Sequence, residues 1–222
     1  TLTTDYIFRG ISQTGEAPAV QGGLDYVMDT GLYIGTWASN IDFGGSETAE
    51  FDFYAGFSRT IYLEECFDKG ALEPTGCGLP SFTYDVGVIH YAYPDAEDSG
   101  AEFDYTEFYG KLGVDFGVIS VDGGVYYSDQ FFGEVGEARY YYAGATIPLE
   151  DASGFPVSID GRIGEQTFDD NAAAGDDYVE YELGLNVTAF TLDWRVAWTD
   201  TDIDPESGLT DGSVYFSVGK SF

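Results

Sequence analysis

The residues with chemistry to offer stand at alternate positions. Asp5, Arg9, Gln21, Asp25, Asp52, Asp85, Glu107, Lys111, Asp122, Asp160, Arg162, Glu180, Glu182, Asp193 and Arg195 all fall on the polar side of two-residue repeats whose other side is apolar. Ten of them are acids and four are bases. Burying an unpaired charge costs on the order of several kcal/mol, so groups on one enclosed face are either paired or wet. If paired, Arg162 meets neighbours of Asp160, and Arg195 meets Glu180 or Glu182 on an adjoining strand, locking strand register. If wet, the surplus carboxylates favour cations or cationic solutes in a narrow aqueous pore. The residues alone leave both readings open.

Three smaller constellations invite other chemistry. DTDIDPESG places Asp200, Asp202, Asp204 and Glu206 where oxygen ligands could converge on a hard cation such as Ca²⁺. Pro205 occupies the position of the glycine in an EF-hand loop, so that motif is not met, and a solvated acidic loop is the alternative. Cys66 and Cys77 lie in ECFDKGALEPTGC, with no His or second Cys-x-x-Cys nearby. Metal spacing is absent, which leaves two buried thiols or a disulfide in an oxidising compartment. Closing that short loop is worth about 2–3 kcal/mol. The single histidine, His90 in VIHYAYP, has Ala92 two positions on and no nucleophile in the local sequence. Nucleophilic catalysis needs a base aimed at a hydroxyl, so the expectation is no enzyme and no cofactor beyond Ca²⁺ on loops.

Composition narrows the partners. Eight Lys and Arg stand against 40 Asp and Glu, a formal net charge of −32. Nucleic-acid binding needs a basic face and is excluded. Acidity with few aromatics would mean disorder, but aromatics are 17% here, with 18 tyrosines. The opening TLTTDYIFRG reads as a mature, processed N-terminus.

The elements that position these groups have a period of two almost throughout. In YVEYELGLNVTAF, Val179, Tyr181, Leu183, Leu185 and Val187 oppose Glu180, Glu182, Gly184, Asn186 and Thr188. Leu192, Trp194, Val196 and Trp198 likewise oppose Asp193, Arg195 and Thr199, and Phe51, Phe53 and Phe57 oppose Asp52, Tyr54 and Ser58. The remaining candidates are 2–12, 18–29, 31–42, 81–93, 102–115, 117–128, 136–148, 157–163 and 212–222, about twelve strands. Most are longer than the usual strand of about 5–6 residues. Tight turns at 29–31, 115–117 and 189–190 alternate with longer acidic stretches. The segments 60–80 and 149–156 break that rule, both on the short-turn side. A soluble sandwich and a transmembrane barrel share this periodicity. Strand length, aromatics near strand ends (Phe51, Tyr84, Tyr127, Trp194, Trp198, Phe222) and one rim of short turns favour the barrel. The expectation is an all-β fold: one domain, 1–222, forming a single antiparallel transmembrane β-barrel as an up-and-down meander.

DYIFRGISQT (5–14), PAVQGGLDY (18–26), GLYIGTWASNIDF (31–43), the Asp-x-Tyr-x-Gly of DFYAGFSR (52–59), YDVGVIHYAYP (84–94) and DYTEFYGKLG (104–113) resemble the TorF-like porin family of proteobacterial outer-membrane barrels. The resemblance is specific in the first half and generic in the second; the cysteine-containing insertion 60–80 departs from it. The last strand, VYFSVGKSF, also resembles the terminal signature of outer-membrane barrels. By that resemblance, Phe222 is the signal read by the barrel assembly machinery. Both termini, the short turns and the cysteine segment then lie in the periplasm, and the acidic loops outside, against lipopolysaccharide. The expected function is a passive channel for small solutes or ions, with cation preference, in the outer membrane of a Gram-negative bacterium. The alternative is an occluded barrel acting through its acidic loops or by lateral association, a homo-oligomer included.

Overall fold

Period-two alternation sends this chain into extended strands, and antiparallel pairing of neighbours satisfies their backbone groups. The computed structural model describes residues 1–62, 80–94, 96, 103–149, 155–169, 175–204 and 207–222. The strands are β1 (Leu2–Thr3), β2 (Ile7–Phe8), β3 (Ile11–Ser12), β4 (Ala19–Val27), β5 (Leu32–Asn40), β6 (Ala49–Tyr62) and β7 (Ser81–Ala92). They continue as β8 (Tyr105–Asp115), β9 (Ser120–Ser128), β10 (Ala138–Leu149), β11 (Val157–Phe168), β12 (Tyr178–Ala189), β13 (Leu192–Thr201) and β14 (Ser213–Gly219). All but β2 and β3 form one closed barrel of twelve strands, each paired with its sequence neighbours. β1 closes it, with Leu2 opposite both Val218 and Val20. Closure leaves no open edge.

The wall is inside-out relative to a soluble protein. Leu24, Val86, Phe108, Leu183 and Val214 are each more than half exposed on its outer surface. Glu50, Glu107, Gln166 and Glu180 are at most 2% exposed within it. An apolar girdle of this extent is stable only in an apolar surrounding, and a closed barrel is one of the two backbone forms that can span lipid. Among the described residues no helix is long and apolar enough to cross a membrane; the strands make the crossing.

The expected first strand, 2–12, divides. Only its start joins the wall, the pairing ending with the Thr4 N–H donating to the Phe216 carbonyl. At Asp5 the chain turns into the lumen, where β2 and β3 form a separate two-stranded ribbon. Two local devices drive the turn. The Asp5 carboxylate accepts hydrogen bonds from Ser12 Oγ at 2.7 Å and Thr14 Oγ1 at 2.8 Å, tying the ribbon's ends together. Arg9 (φ 49°) and Gly10 (φ 81°) form a two-residue turn with both φ positive, the twist that suits a tight hairpin. A period-two pattern is the same for a wall strand and for a ribbon, which is why alternation did not separate them.

The connections obey the expected asymmetry. Residues 28–31, 116–119 and 190–191 are short turns on one rim. Phe190 and Thr191, both with positive φ, make the tightest of them. The ribbon, and residues 41–48, 129–137 and 202–212, gather at the other rim. The final ladder stops at Gly219, short of the expected 222. Phe222 is fully exposed, and the Lys220 ammonium lies 4.9 Å from its ring centroid. Cys66 and Cys77 lie outside the described residues.

Candidate functional site: the lumen and its inner ribbon

The ribbon carries Arg9 to the barrel wall at the long-loop end. Arg9 Nη1 and Nη2 donate to Glu107 Oε1 and Oε2 at 2.9 and 2.6 Å, and Nη1 also donates to Gln166 Oε1 at 2.7 Å. Tyr91 donates to the same carboxylate at 3.1 Å. The guanidinium carbon sits 4.3 Å from the Tyr140 ring centroid, 5.2 Å from Tyr126 and 4.7 Å from Phe8. The side chains of Arg9 and Glu107 are 5% and 1% exposed. Burial alone would lower the Arg9 pKa, but the adjacent Glu107 carboxylate raises it above the ordinary value. Arg9 is therefore a fixed cation.

Around this pair the long-loop end is packed with rings. Tyr91 stacks on Tyr105 at 4.4 Å, Tyr105 meets Phe131 at 4.7 Å, and Phe103 stacks on Phe132 at 4.6 Å. Tyr6, on the ribbon, packs on Trp37 and donates to Glu50 Oε1 at 2.9 Å. Burial, and then Glu50, push the Tyr6 phenol well above its usual range, so it stays a neutral donor. Asp52 lies buried two residues along β6, with Oδ1 unpartnered.

The middle of the lumen is an ion network. Arg162 meets Glu180 at 3.0 Å and Glu182 at 3.9 Å, while Arg195 binds both oxygens of Asp160, at 2.6 and 2.9 Å, and Glu182 at 2.8 Å. Tyr140 donates to Glu180, and Tyr215 to Glu182. Arg195 stands opposite Asn186 in the ladder, yet its head crosses to the level of Gly184, opposite Asp160 on the next strand. A Cβ at position 184 would lie 2.5 Å from that guanidinium, so glycine leaves room for the head where it stands and a larger residue would push it aside. Of the partners expected from sequence, Arg195 takes Glu182, while Asp160 pairs with Arg195.

Toward the short turns the lumen side chains are more exposed. Tyr33 donates to Asp85 at 2.6 Å and meets the Tyr109 hydroxyl, and Lys111 Nζ lies 3.6 Å from Asp85. Tyr54 donates to Asp25 at 2.6 Å and Thr188 to Asp193 at 2.7 Å. Two cavities flank the ribbon. One, of about 400 Å³, is lined by Arg9, Asp122, Tyr126, Tyr142, Asp160 and Arg162, among others. The other, of about 230 Å³, is lined by Asp5, Tyr6, Gln21, Arg195 and Tyr215, among others. Among the described residues each of the four inward bases has an acid partner, whereas Asp5, Asp25, Asp52, Asp122 and Asp193 have no basic one.

Glu50 and Gln166 were missed from sequence. Glu50 shares the phase of Asp52 on β6, and Gln166 that of Arg162 on β11, so the alternation contained the signal. Tyr6, Tyr33, Tyr54, Tyr91, Tyr140 and Tyr215 each donate to a lumen acid, a role that alternation alone does not reveal.

The smaller constellations resolve as follows. Asp200 accepts the Thr201 N–H and Asp202 the Val179 N–H, each side chain tied to backbone. Asp204 is exposed, and Glu206 lies outside the described residues. Among the described residues no group of three or more side chains could hold a metal. His90 is exposed on the outer face, with Nδ1 3.0 Å from Thr106 Oγ1. A hydroxyl therefore does stand beside it, on the adjoining strand, contrary to the local sequence. Among the described residues no carboxylate holds the other ring nitrogen, so the pair lacks an orienting acid.

No curated protein sequence matches the chain. Among solved structures, the outer membrane protein OprD of Pseudomonas aeruginosa is 14% identical, with a TM-score of 0.46, over 90% of this chain and 57% of its own. OpdQ of the same organism is 12% identical, with a TM-score of 0.45, over 97% and 58%. LpxR of Salmonella typhimurium is 9% identical, with a TM-score of 0.42, over 91% and 87%. The chain thus spans somewhat more than half the length of the Pseudomonas proteins it aligns with. One family matches over residues 1–222, under a description that does not carry the TorF-like label. The chain belongs to that family, the bacterial proteins of unknown function named Gcw_chp.

Proposed function

We propose that this protein is a porin-like channel of the Gram-negative outer membrane, passing small solutes or ions with a preference for cations. The observation that carries the reading is the charge balance of the lumen: every inward base among the described residues has an acid partner, while Asp122 and Asp5, which have no basic one, line the two cavities. Fixed negative charge in a narrow aqueous space concentrates cations. The TorF-like resemblance supports the same reading. From the terminal signature of the last strand we further propose that Phe222 is read by the assembly machinery and that the termini, the short turns and a Cys66–Cys77 disulfide lie in the periplasm, with the acidic loops toward lipopolysaccharide or weakly held Ca²⁺. Bilayer conductance of purified protein tests the channel; absence of openings sinks it. Reversal potential in a KCl gradient tests the charge argument. Asp122→Asn, which removes a cavity carboxylate with no basic partner, lowers cation preference; an unchanged or anion-selective reversal potential refutes it.

A second reading has its own observation. The ribbon and its aromatic collar fill the long-loop end, with the Arg9 and Glu107 side chains almost wholly buried. A barrel held in that state is occluded and acts through its loops or by lateral association, including self-association. Conductance separates the two readings.

A further inference from the structure

Arg9 is held by a site that the wall builds without it. Glu107 on β8 offers both carboxylate oxygens, Gln166 on β11 a carbonyl, and Tyr126 on β9 and Tyr140 on β10 their ring faces. Tyr91 on β7 fixes the carboxylate. Five consecutive strands supply these groups, and none belongs to the ribbon. A bidentate carboxylate with flanking rings is the arrangement that selects a planar guanidinium over a spherical ammonium. The ribbon, in turn, strains to deliver its side chain. Arg9 holds φ 49° at the first turn position, where Asn, Asp or Gly would be at ease. Gly10 follows at a point where a Cβ would lie 2.5 Å from Thr201 Cγ2. An ordinary turn has no use for arginine there. The guanidinium has one, and the 400 Å³ cavity opens beside it.

We infer that the inner wall of β7–β11 is a binding site for guanidinium-bearing solutes, and that Arg9 is its tethered occupant, a built-in stand-in that holds the ribbon against the wall. As a site it stands on the wall residues alone. As a statement of what the channel passes, it rests on the channel reading above. The tether gives Arg9 an effective concentration on the order of millimolar or more, so a free solute meets the site readily only when Arg9 is gone.

The test is occupancy of the vacated site. Arg9→Ala is folded in detergent, and its melting temperature is followed against millimolar methylguanidine, with methylammonium and KCl as controls. The expected result is a saturable upward shift with methylguanidine only, abolished in Arg9→Ala/Glu107→Gln and absent in the wild type. If Arg9→Ala does not refold unaided, refolding yield replaces melting temperature, and methylguanidine restores it where methylammonium does not. Equal effects of all three cations, or none, overturn the site. Neither readout depends on conductance: rescue without channel openings keeps the site and discards the channel, and openings without rescue do the reverse.

Discussion

Replacing Glu107 with Gln tests how the ribbon is held. The carboxylate receives two bonds from Arg9, at 2.9 and 2.6 Å, and one from Tyr91. Bonds to charged groups contribute about 1.5–3 kcal/mol each, but they cannot be summed, because two ions had to leave water to make them. The better measure is the cost of stranding one partner. With both side chains at most 5% exposed, Arg9 would remain a buried cation facing an amide, and removing one member of such a pair costs about 3–5 kcal/mol. Arg9→Met/Glu107→Leu removes both charges and should recover much of that loss. The assay is equilibrium urea unfolding of the three proteins in lipid vesicles. A Glu107→Gln penalty below about 1 kcal/mol, the level of an exposed pair, would refute the reasoning. So would a double variant no better than the single.

Two further substitutions probe the turn and the wall. Gly10→Ala places a methyl against Thr201 and Glu180 at a positive φ; strained positions of this kind cost about 1–3 kcal/mol, and urea unfolding without any loss of stability contradicts the turn. Leu183→Arg, in mid-strand on the exposed apolar face, should cost about 2–4 kcal/mol in a bilayer; a neutral result in vesicle refolding would argue that this face does not meet lipid.

Much of the wall was legible because a strand in a one-sided environment must alternate. The registers of Arg162 with Glu182 and of Asn186 with Arg195 continue patterns visible in PVSIDGRIG, YVEYELGLNVTAF and TLDWRVAWTD. The fate of 5–14 was not legible, since DYIFRGISQT alternates as a wall strand does. Only Arg9-Gly10 hinted at a turn, and Arg is an unusual first residue for it. The pairing of acids with bases was half legible. Phase says which residues share the lumen, but which partner Arg195 reaches depends on strand stagger and on the gap at Gly184.

The sequence by itself determined a twelve-strand antiparallel barrel with an apolar outside and an acidic inside, because side-chain period and turn length are local properties of the chain. The tertiary structure alone decided that the first strand is cut short and its remainder folded into the lumen. It also brought Arg9 to Glu107, 98 positions away. Such a contact exists only once the wall has closed, since its five contributing strands share no local signal.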